Sequence, residues 1–233
     1  MSDPTSLVTL PGVSAELRGR PAFTHIHARL RPGGTIIAES GAMASMSGNV
    51  SSRADFNGGL VNGLLLRIFA RESLFVNHFT VKEGEGELVL TQATPGDISA
   101  VELSGDELCI TKGSFIAATP GVNISVAFAG IQSWFAGEGL FRIRAAGRGT
   151  VWFGGYGSLE AREIDAPLIV DTGHLVAYTP GLQMETKLSG GLFSSLFGGE
   201  GFVLKVSGKG RVYLQSRSIG GLASWINSHL WGR

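Results

Sequence analysis

Two histidines, His25 and His27, are the residues in this chain best suited to metal chemistry. Alternate residues of a β-strand share a face, so two imidazoles at this spacing could begin a metal site. A metal-binding cupin would place a glutamate shortly after the second histidine, whereas the first acidic residue after His27 is Glu39. His78 and His174 could complete a site, but no motif surrounds them. We therefore predict no metal and no cofactor, and keep a cupin-like metal-dependent enzyme or small-ligand-binding protein as the alternative function.

The other catalytic residue types lack the neighbours that would activate them. The lone cysteine, Cys109, lies between Leu108 and Ile110 with no histidine or lysine beside it to lower the pKa of its thiol, which indicates a structural cysteine. The sequence contains no Gly-x-Ser-x-Gly motif, and its Gly-x-Gly pairs lack the third glycine of a phosphate-binding loop. We predict that the chain has no catalytic residue and is not an enzyme.

A short phrase that recurs three times indicates how the chain is organised. Its copies occupy residues 39–48, 111–121 and 171–181, and glycine stands third in each, at Gly41, Gly113 and Gly173. The copies lie much further apart than the repeats of a solenoid, which are roughly 20–50 residues long. Each copy therefore belongs to a small lobe of its own.

The second half of each lobe also repeats, as a Gly-x-Gly between two runs of β-branched and aromatic residues. The three copies lie at residues 84–86, 147–149 and 208–210. This pattern is typical of a β-hairpin with a bulge at its turn. Thr119-Pro120-Gly121 and Thr179-Pro180-Gly181 have the composition of type II turns.

Together these repeats predict an all-β fold, a pseudo-threefold β-prism or barrel of three similar antiparallel lobes. We expect one domain over residues 1–233, with repeats at about 20–95, 96–160 and 161–217 and a helical tail at 218–233. In that tail, apolar residues recur at helical spacing on one face. We expect this short C-terminal helix to pack back on the body; docking to another protein is the alternative.

Composition limits the choice of partner and compartment. Nineteen basic and nineteen acidic residues cancel, so no overall field favours nucleic acid, and we expect none to bind. Only 16% of residues are charged, which suggests apolar surface buried against something else. A single cysteine suits a reducing compartment. The first residues lack a secretory pattern and no apolar run is long enough for a membrane span, so we expect a cytoplasmic protein.

Three glycine-rich apolar stretches lie at corresponding points of the three repeats. Loops between strands are normally polar, because they run over the surface. These stretches either fold back over the β body or gather at one end as an apolar surface for self-association, another protein or a membrane surface. The predicted interaction surface consists of Leu64, Leu66, Trp134, Phe135, Leu192 and Phe193.

Residues 33–46, residues 59–73 and the repeated Gly-x-x-x-Ala-x-Thr-Pro-Gly resemble the altered-inheritance-of-mitochondria family, known in bacteria as a domain of unknown function. The resemblance spans about residues 20–217. It implies an antiparallel β body of pseudo-threefold design, related to the fold of the tryptophan-RNA-binding attenuation protein, and a yeast relative associated with mitochondrial inner-membrane organisation. The family has no established catalytic or ligand residues. We therefore expect a non-enzymatic scaffold or assembly protein that forms homo-oligomers or binds another protein.

Overall fold

Antiparallel β-strands make up almost all of the structure, a computed structural model that describes residues 7–56, 75–128, 141–188 and 202–230. A short 3-10 helix at Thr172–His174 and one α-helix, α1 (Ile219–Leu230), are the helices of these residues. The prediction of an all-β fold with a short C-terminal helix is confirmed. The strands are β1 (Leu7–Leu10), β2 (Val13–Arg18), β3 (His25–Leu30), β4 (Thr35–Glu39), β5 (Met43–Met46), β6 (Val50–Phe56), β7 (Phe75–Val81), β8 (Gly86–Leu90), β9 (Ile98–Ile110), β10 (Phe115–Ala118), β11 (Val122–Phe128), β12 (Phe141–Gly154), β13 (Leu159–Ile164), β14 (Leu168–Asp171), β15 (Leu175–Tyr178), β16 (Gln183–Leu188), β17 (Phe202–Ser207) and β18 (Gly210–Gln215).

The strands form three sheets with open edges. A five-stranded sheet has the order β1-β2-β3-β8-β5, and a three-stranded sheet has the order β14-β17-β16. The largest sheet has the order β13-β18-β15-β9-β12-β10-β4-β7-β6, and β11 pairs with β12 beside this path. The strands of the described ranges close no barrel, which leaves outer strands with one unpaired side.

The Gly-x-Gly segments do not form hairpins, so that prediction was wrong. β7 and β8 flank Gly84-Glu85-Gly86 but belong to different sheets, and the same holds for β17 and β18. In the middle copy the chain does not turn at all. β12 runs unbroken through Gly147-Arg148-Gly149, and its register with β9 shifts between Ala146 and Arg148. The motif thus marks the point where a strand leaves one pairing partner for another.

Close packing explains why glycine is needed where a strand changes its pairing partner. A Cβ on Gly149 would collide with the Oγ1 atom of Thr119, and a Cβ on Gly210 would collide with the Oγ1 atom of Thr179. Gly149 also has a φ of 141°, which other residues rarely adopt. A local pattern cannot distinguish this close approach from a turn, because glycine serves both.

The two Thr-Pro-Gly turns differ from each other. Gly181 has a φ of 91°, as the third residue of a type II turn requires. Gly121 has no positive φ, so the predicted type II turn is wrong at Thr119-Pro120-Gly121. The Val122 amide still donates to the Thr119 carbonyl over 3.0 Å. Glycine is required at 121 because the Arg148 carbonyl oxygen occupies the space of a Cβ.

Three buried clusters of apolar side chains form the core. The first lies around β2, β3 and β8, the second around β9, β10 and β12, and the third around β14, β17 and β18. Aromatic residues fill the second cluster, where the rings of Phe153 and Tyr213 meet edge to face at 4.9 Å. Such pairs stabilise a core beyond the area that they bury.

In the part of the chain that the structure describes, the C-terminal helix buries no side chain against the body, contrary to expectation. None of its residues is buried, and Trp225 and Leu230 are 60% and 70% exposed. Local contacts hold its ends. The Leu222 amide donates to the Ser218 carbonyl at 3.1 Å, and the Trp225 ring stacks on His229 at 4.3 Å. The helical periodicity was therefore a correct guide to the element but not to its contacts.

Candidate interaction site

Three strands, β5, β10 and β15, each follow the glycine of the phrase that recurs in the sequence. Each pairs antiparallel with a strand or strand segment at or beyond a Gly-x-Gly: β5 with β8, β10 with the end of β12, and β15 with β18. The register is interrupted at the same place in all three pairs. The interruptions fall between Met43 and Ser45, between Phe115 and Ala117, and between Leu175 and Ala177.

A hydroxyl group after each of these three strands makes the same pair of contacts with the backbone. Ser47, Thr119 and Thr179 occupy the position after the three strands, and each side-chain oxygen accepts a backbone N–H at 2.9 Å. The donors are the amides of Glu87, Thr150 and Arg211. The backbone carbonyls of these donors accept the amides of Ser47, Thr119 and Thr179 in return, also at 2.9 Å.

The second side of β10 and of β15 is occupied by a strand that lies earlier in the chain. β10 pairs with β4, with Ala117 opposite Ala38 and Ala118 opposite Ile37. β15 pairs with the end of β9, with Ala177 opposite Ile110 and Tyr178 opposite Cys109. We call these two pairings the inner junctions. All four residues of β10 and all four of β15 are buried.

β5 has no such neighbour among the described strands. It lies at the end of the five-stranded sheet, paired with β8 on one side, and all four of its residues are exposed. Met43 is 42% exposed and Met46 is 40% exposed. We call the unpaired side of this strand the β5 edge.

β14 is also unpaired on one side among the described strands. It pairs with β17 at the end of the three-stranded sheet, whereas β4 and the end of β9, which precede the other copies of the phrase, carry β10 and β15 on their second side. Ile169 of β14 is 58% exposed, although its equivalents Ile37 and Cys109 are 9% and 8% exposed. We call the unpaired side of β14 the β14 edge.

Burial at the inner junctions changes the chemistry of two groups. Burial raises the pKa of the Glu39 carboxyl above its ordinary value, while the nearby charge of Lys112 acts in the opposite direction. Burial likewise raises the pKa of the Cys109 thiol. A thiol in this state is a poor nucleophile, which agrees with a structural cysteine.

A polar groove of about 620 Å³ lies where the turn before β10, the turn before β15 and the start of α1 meet. Its two glutamine side chains form hydrogen bonds with the backbone. Gln92 Nε2 donates to the Gly155 carbonyl at 3.0 Å, and Gln215 Nε2 donates to the Gly173 carbonyl at 2.8 Å. The Tyr156 amide donates to Gln215 Oε1 at 2.8 Å. These contacts tie the turns together.

The histidines do not converge. His25 and His27 share a strand face opposite the buried Ile26, as the sequence predicts. His27 Nε2 lies 4.0 Å from Glu87 Oε2, and His174 Nδ1 lies 2.7 Å from the Gln215 carbonyl oxygen. Within the described ranges no group of three or more histidine, cysteine or acidic side chains is placed to hold a metal ion.

Several arginines pair with acids on a neighbouring strand or turn. Arg144 pairs with Glu107, and Arg211 pairs with Glu163. Arg31 Nε lies 2.7 Å from Glu85 Oε2. Pairs of this kind are typical of a solvated sheet face and add little stability.

The predicted interaction residues Leu64, Leu66, Trp134, Phe135, Leu192 and Phe193 all lie outside the described residues. Sequence reasoning missed the β5 and β14 edges. One signal was present: the first copy of the phrase has Met-Ala-Ser-Met where the others have Phe-Ile-Ala-Ala and Leu-Val-Ala-Tyr. The polar serine distinguishes the first copy from its equivalents.

No helix in the described part of the chain is both long enough and apolar enough to cross a bilayer.

Comparisons with known proteins find bacterial relatives over most of the length. An uncharacterised protein of Streptococcus pyogenes serotype M6 is 27% identical over 217 residues, which cover 89% of this chain and 87% of the relative. The crystal structure of a Streptococcus pyogenes protein is similar with a TM-score of 0.75 and 25% identity, covering 94% of this chain and 100% of that one. The family model described as Mitochondrial biogenesis AIM24 matches residues 15–217. The chain thus belongs to the AIM24 family.

Proposed function

We propose that this protein is a non-enzymatic assembly module that docks a partner strand on the β5 edge. The observation that carries the proposal is the difference between corresponding strands: β10 and β15 are buried and paired on both sides, whereas β5 is exposed and pairs with β8 alone among the described strands. An edge strand presents unpaired N–H and C=O groups that are ready to pair with another chain.

The proposal includes the predicted organisation in three similar lobes, about residues 20–95, 96–160 and 161–217. The matching register interruptions after Gly41, Gly113 and Gly173 support it, as do the three hydroxyl contacts. One difference lies at Gly173, which is part of the 3-10 helix, whereas Gly41 and Gly113 have φ values of 96° and 82°. In this arrangement the inner junctions join the first lobe to the second and the second to the third, and β5 belongs to the first lobe, which no lobe precedes in the series.

β5 carries neither a charged side chain nor a proline. Natural edges are blunted by charged side chains, especially lysine, or by proline. β5 has the sequence Met-Ala-Ser-Met, which contains neither. Two of its four side chains are large and apolar, and both are exposed. Covering them would add the hydrophobic contribution of buried apolar area to the main-chain hydrogen bonds.

Association with a membrane surface is the second candidate, and the exposure of α1 favours it. Apolar side chains of this helix, including Ile219 and Trp225, are more than half exposed. Helices that lie on anionic membranes usually carry lysine or arginine on the polar face. α1 has the sequence IGGLASWINSHL, with no lysine or arginine. We therefore rank docking at the β5 edge above a membrane role.

The test is the size of the complexes that contain the protein in extracts of its own cells, separated by native electrophoresis. Ser45→Lys places a charge on the β5 edge, and Ser104→Lys places the same charge at an exposed position of the central strand β9. We expect the complexes to disappear with Ser45→Lys and to persist with Ser104→Lys. Complexes of equal size in both variants, or a monomer throughout, would overturn the proposal.

A further inference from the structure

We propose that the strand that pairs with the β5 edge is β14 of a second copy of this chain, with Ser45 opposite Val170 and Met46 opposite Ile169. The inference rests on the proposed docking role of β5 and names the partner. It follows from the register of the inner junctions, which the chain uses twice.

The register is obtained by matching equivalent positions. Ser45 corresponds to Ala117 and Ala177, because each is the fourth residue after the glycine of the phrase. Ala117 lies opposite Ala38, and Ala177 lies opposite Ile110. Ala38 and Ile110 each stand immediately before the phrase, and the corresponding residue of the third unit is Val170.

The neighbouring position gives the same answer. Met46 corresponds to Ala118, which lies opposite Ile37, and to Tyr178, which lies opposite Cys109. Ile37 and Cys109 both correspond to Ile169. The two inner junctions therefore agree on one antiparallel register for β5 and β14.

The exposed side chains at the two edges complement each other. Met46 and Ile169 are the members of this pair, at 40% and 58% exposure, and each is apolar. Their equivalents at the inner junctions, Ala118 with Ile37 and Tyr178 with Cys109, are all below 10%. Cross-strand apolar pairs contribute to the stability of a sheet when they are directly opposite. A β5–β14 contact would bury part of the exposed area of Met46 and Ile169 against each other.

The backbone supplies a third correspondence. At the second inner junction, the Thr111 amide donates to the Val176 carbonyl at 2.8 Å. Thr111 corresponds to Asp171, and Val176 corresponds to Ala44. In the assembly, the Asp171 amide of one copy donates to the Ala44 carbonyl of the other. The contact thus continues the hydrogen-bond pattern of the chain.

The contact joins unlike surfaces, so each added copy leaves one β5 edge and one β14 edge free until a ring closes. Head-to-tail contacts of this kind produce rings or open filaments, depending on the rotation between copies. The β5 edge lies in the first unit of the chain and the β14 edge lies in the last. In the assembly, the β14 edge of one copy pairs with the β5 edge of the next.

Disulfide trapping tests the pairing and its register. The full-length chain carries Met46→Cys and Ile169→Cys together with Cys109→Ala, which removes the natural thiol. Directly opposite residues of an antiparallel pair have Cβ atoms roughly 4.5–5.5 Å apart, so the two thiols can bond after mild oxidation. We expect a ladder of covalent dimers and larger species on non-reducing gels. Met43→Cys with Ile169→Cys, which are not opposite in this register, should give on the order of tenfold less of that ladder.

The outcomes separate this inference from the function on which it rests. A monomer in which both introduced thiols are consumed would show that β5 and β14 close within one chain, and would overturn the inference. So would a purified chain that stays monomeric and is not crosslinked. If that monomer accompanied extract complexes that depend on Ser45, docking at β5 would stand with a different partner. If the purified chain stayed monomeric and the extract complexes did not depend on Ser45, the docking function would be overturned as well.

Discussion

β5 and β10 lie at matching positions of the recurring phrase but in opposite surroundings. Both have four residues, follow the glycine of the phrase, and pair with a strand segment at or beyond a Gly-x-Gly with the same register interruption. β10 has β4 on its second side and its side chains enter two core clusters, whereas β5 has no described strand on its second side and is exposed. The comparison shows that burial of these strands goes together with pairing on both sides.

The largest expected effect comes from placing one carboxylate in each of the two strands. Ala117→Asp would bury an unpaired charge at a position with no exposed area, which should cost at least about 3 kcal/mol of unfolding free energy. Ser45→Asp, at the equivalent exposed position, should change it by less than about 0.5 kcal/mol. Denaturant titration at low protein concentration measures both. Equal losses would mean that β5 is covered in solution.

A medium effect is expected at the hydroxyl contacts. Thr119 is 2% exposed, and Thr119→Val would leave the buried Thr150 amide without its acceptor, at a cost of roughly 1–3 kcal/mol. Ser47 is only partly buried, so water can replace its hydroxyl, and Ser47→Ala should cost less than about 1 kcal/mol. Thr119→Ser, which keeps the hydroxyl, is the control. A loss with Thr119→Ser as large as with Thr119→Val would assign the effect to packing instead.

The smallest effect concerns the acid at the first inner junction. Burial raises the pKa of Glu39 in the folded protein above its ordinary value of 4.5. The folded state therefore holds this proton more tightly, and the stability of the protein falls as the pH rises from 4.5 through the folded pKa. Glu39→Gln should be more stable than the unsubstituted protein at pH 7, and the difference should shrink as the pH falls toward 4.5.

Unfolding titrations over this pH range provide the measurement. Glu102→Gln, at an exposed position of β9, is the matched control and should show no such trend. A pH-independent difference for Glu39→Gln would show that the carboxylate does not control the stability of this junction.

Local patterns in the sequence predicted the strands and the helix but not their partners. The β-branched and aromatic runs and the periodic apolar residues of the tail specify backbone conformation, and these elements are present. The Gly-x-Gly segments were misread as hairpins because glycine also permits close approach, as Gly149 does against Thr119. Which strand lies beside β5 depends on residues far along the chain. Apart from the serine of the first copy, no local signal marks the edges, and the pairings of β10 and β15 identify them.

β12 is one continuous strand, and this continuity has a mechanical consequence. Its fourteen residues run from Phe141 to Gly154 without a loop, whereas the corresponding strands of the outer units are interrupted after Val81 and after Ser207. We therefore expect β12 to deform less readily than the interrupted strands on either side of it, because a displacement at one of its ends meets no loop before the other end.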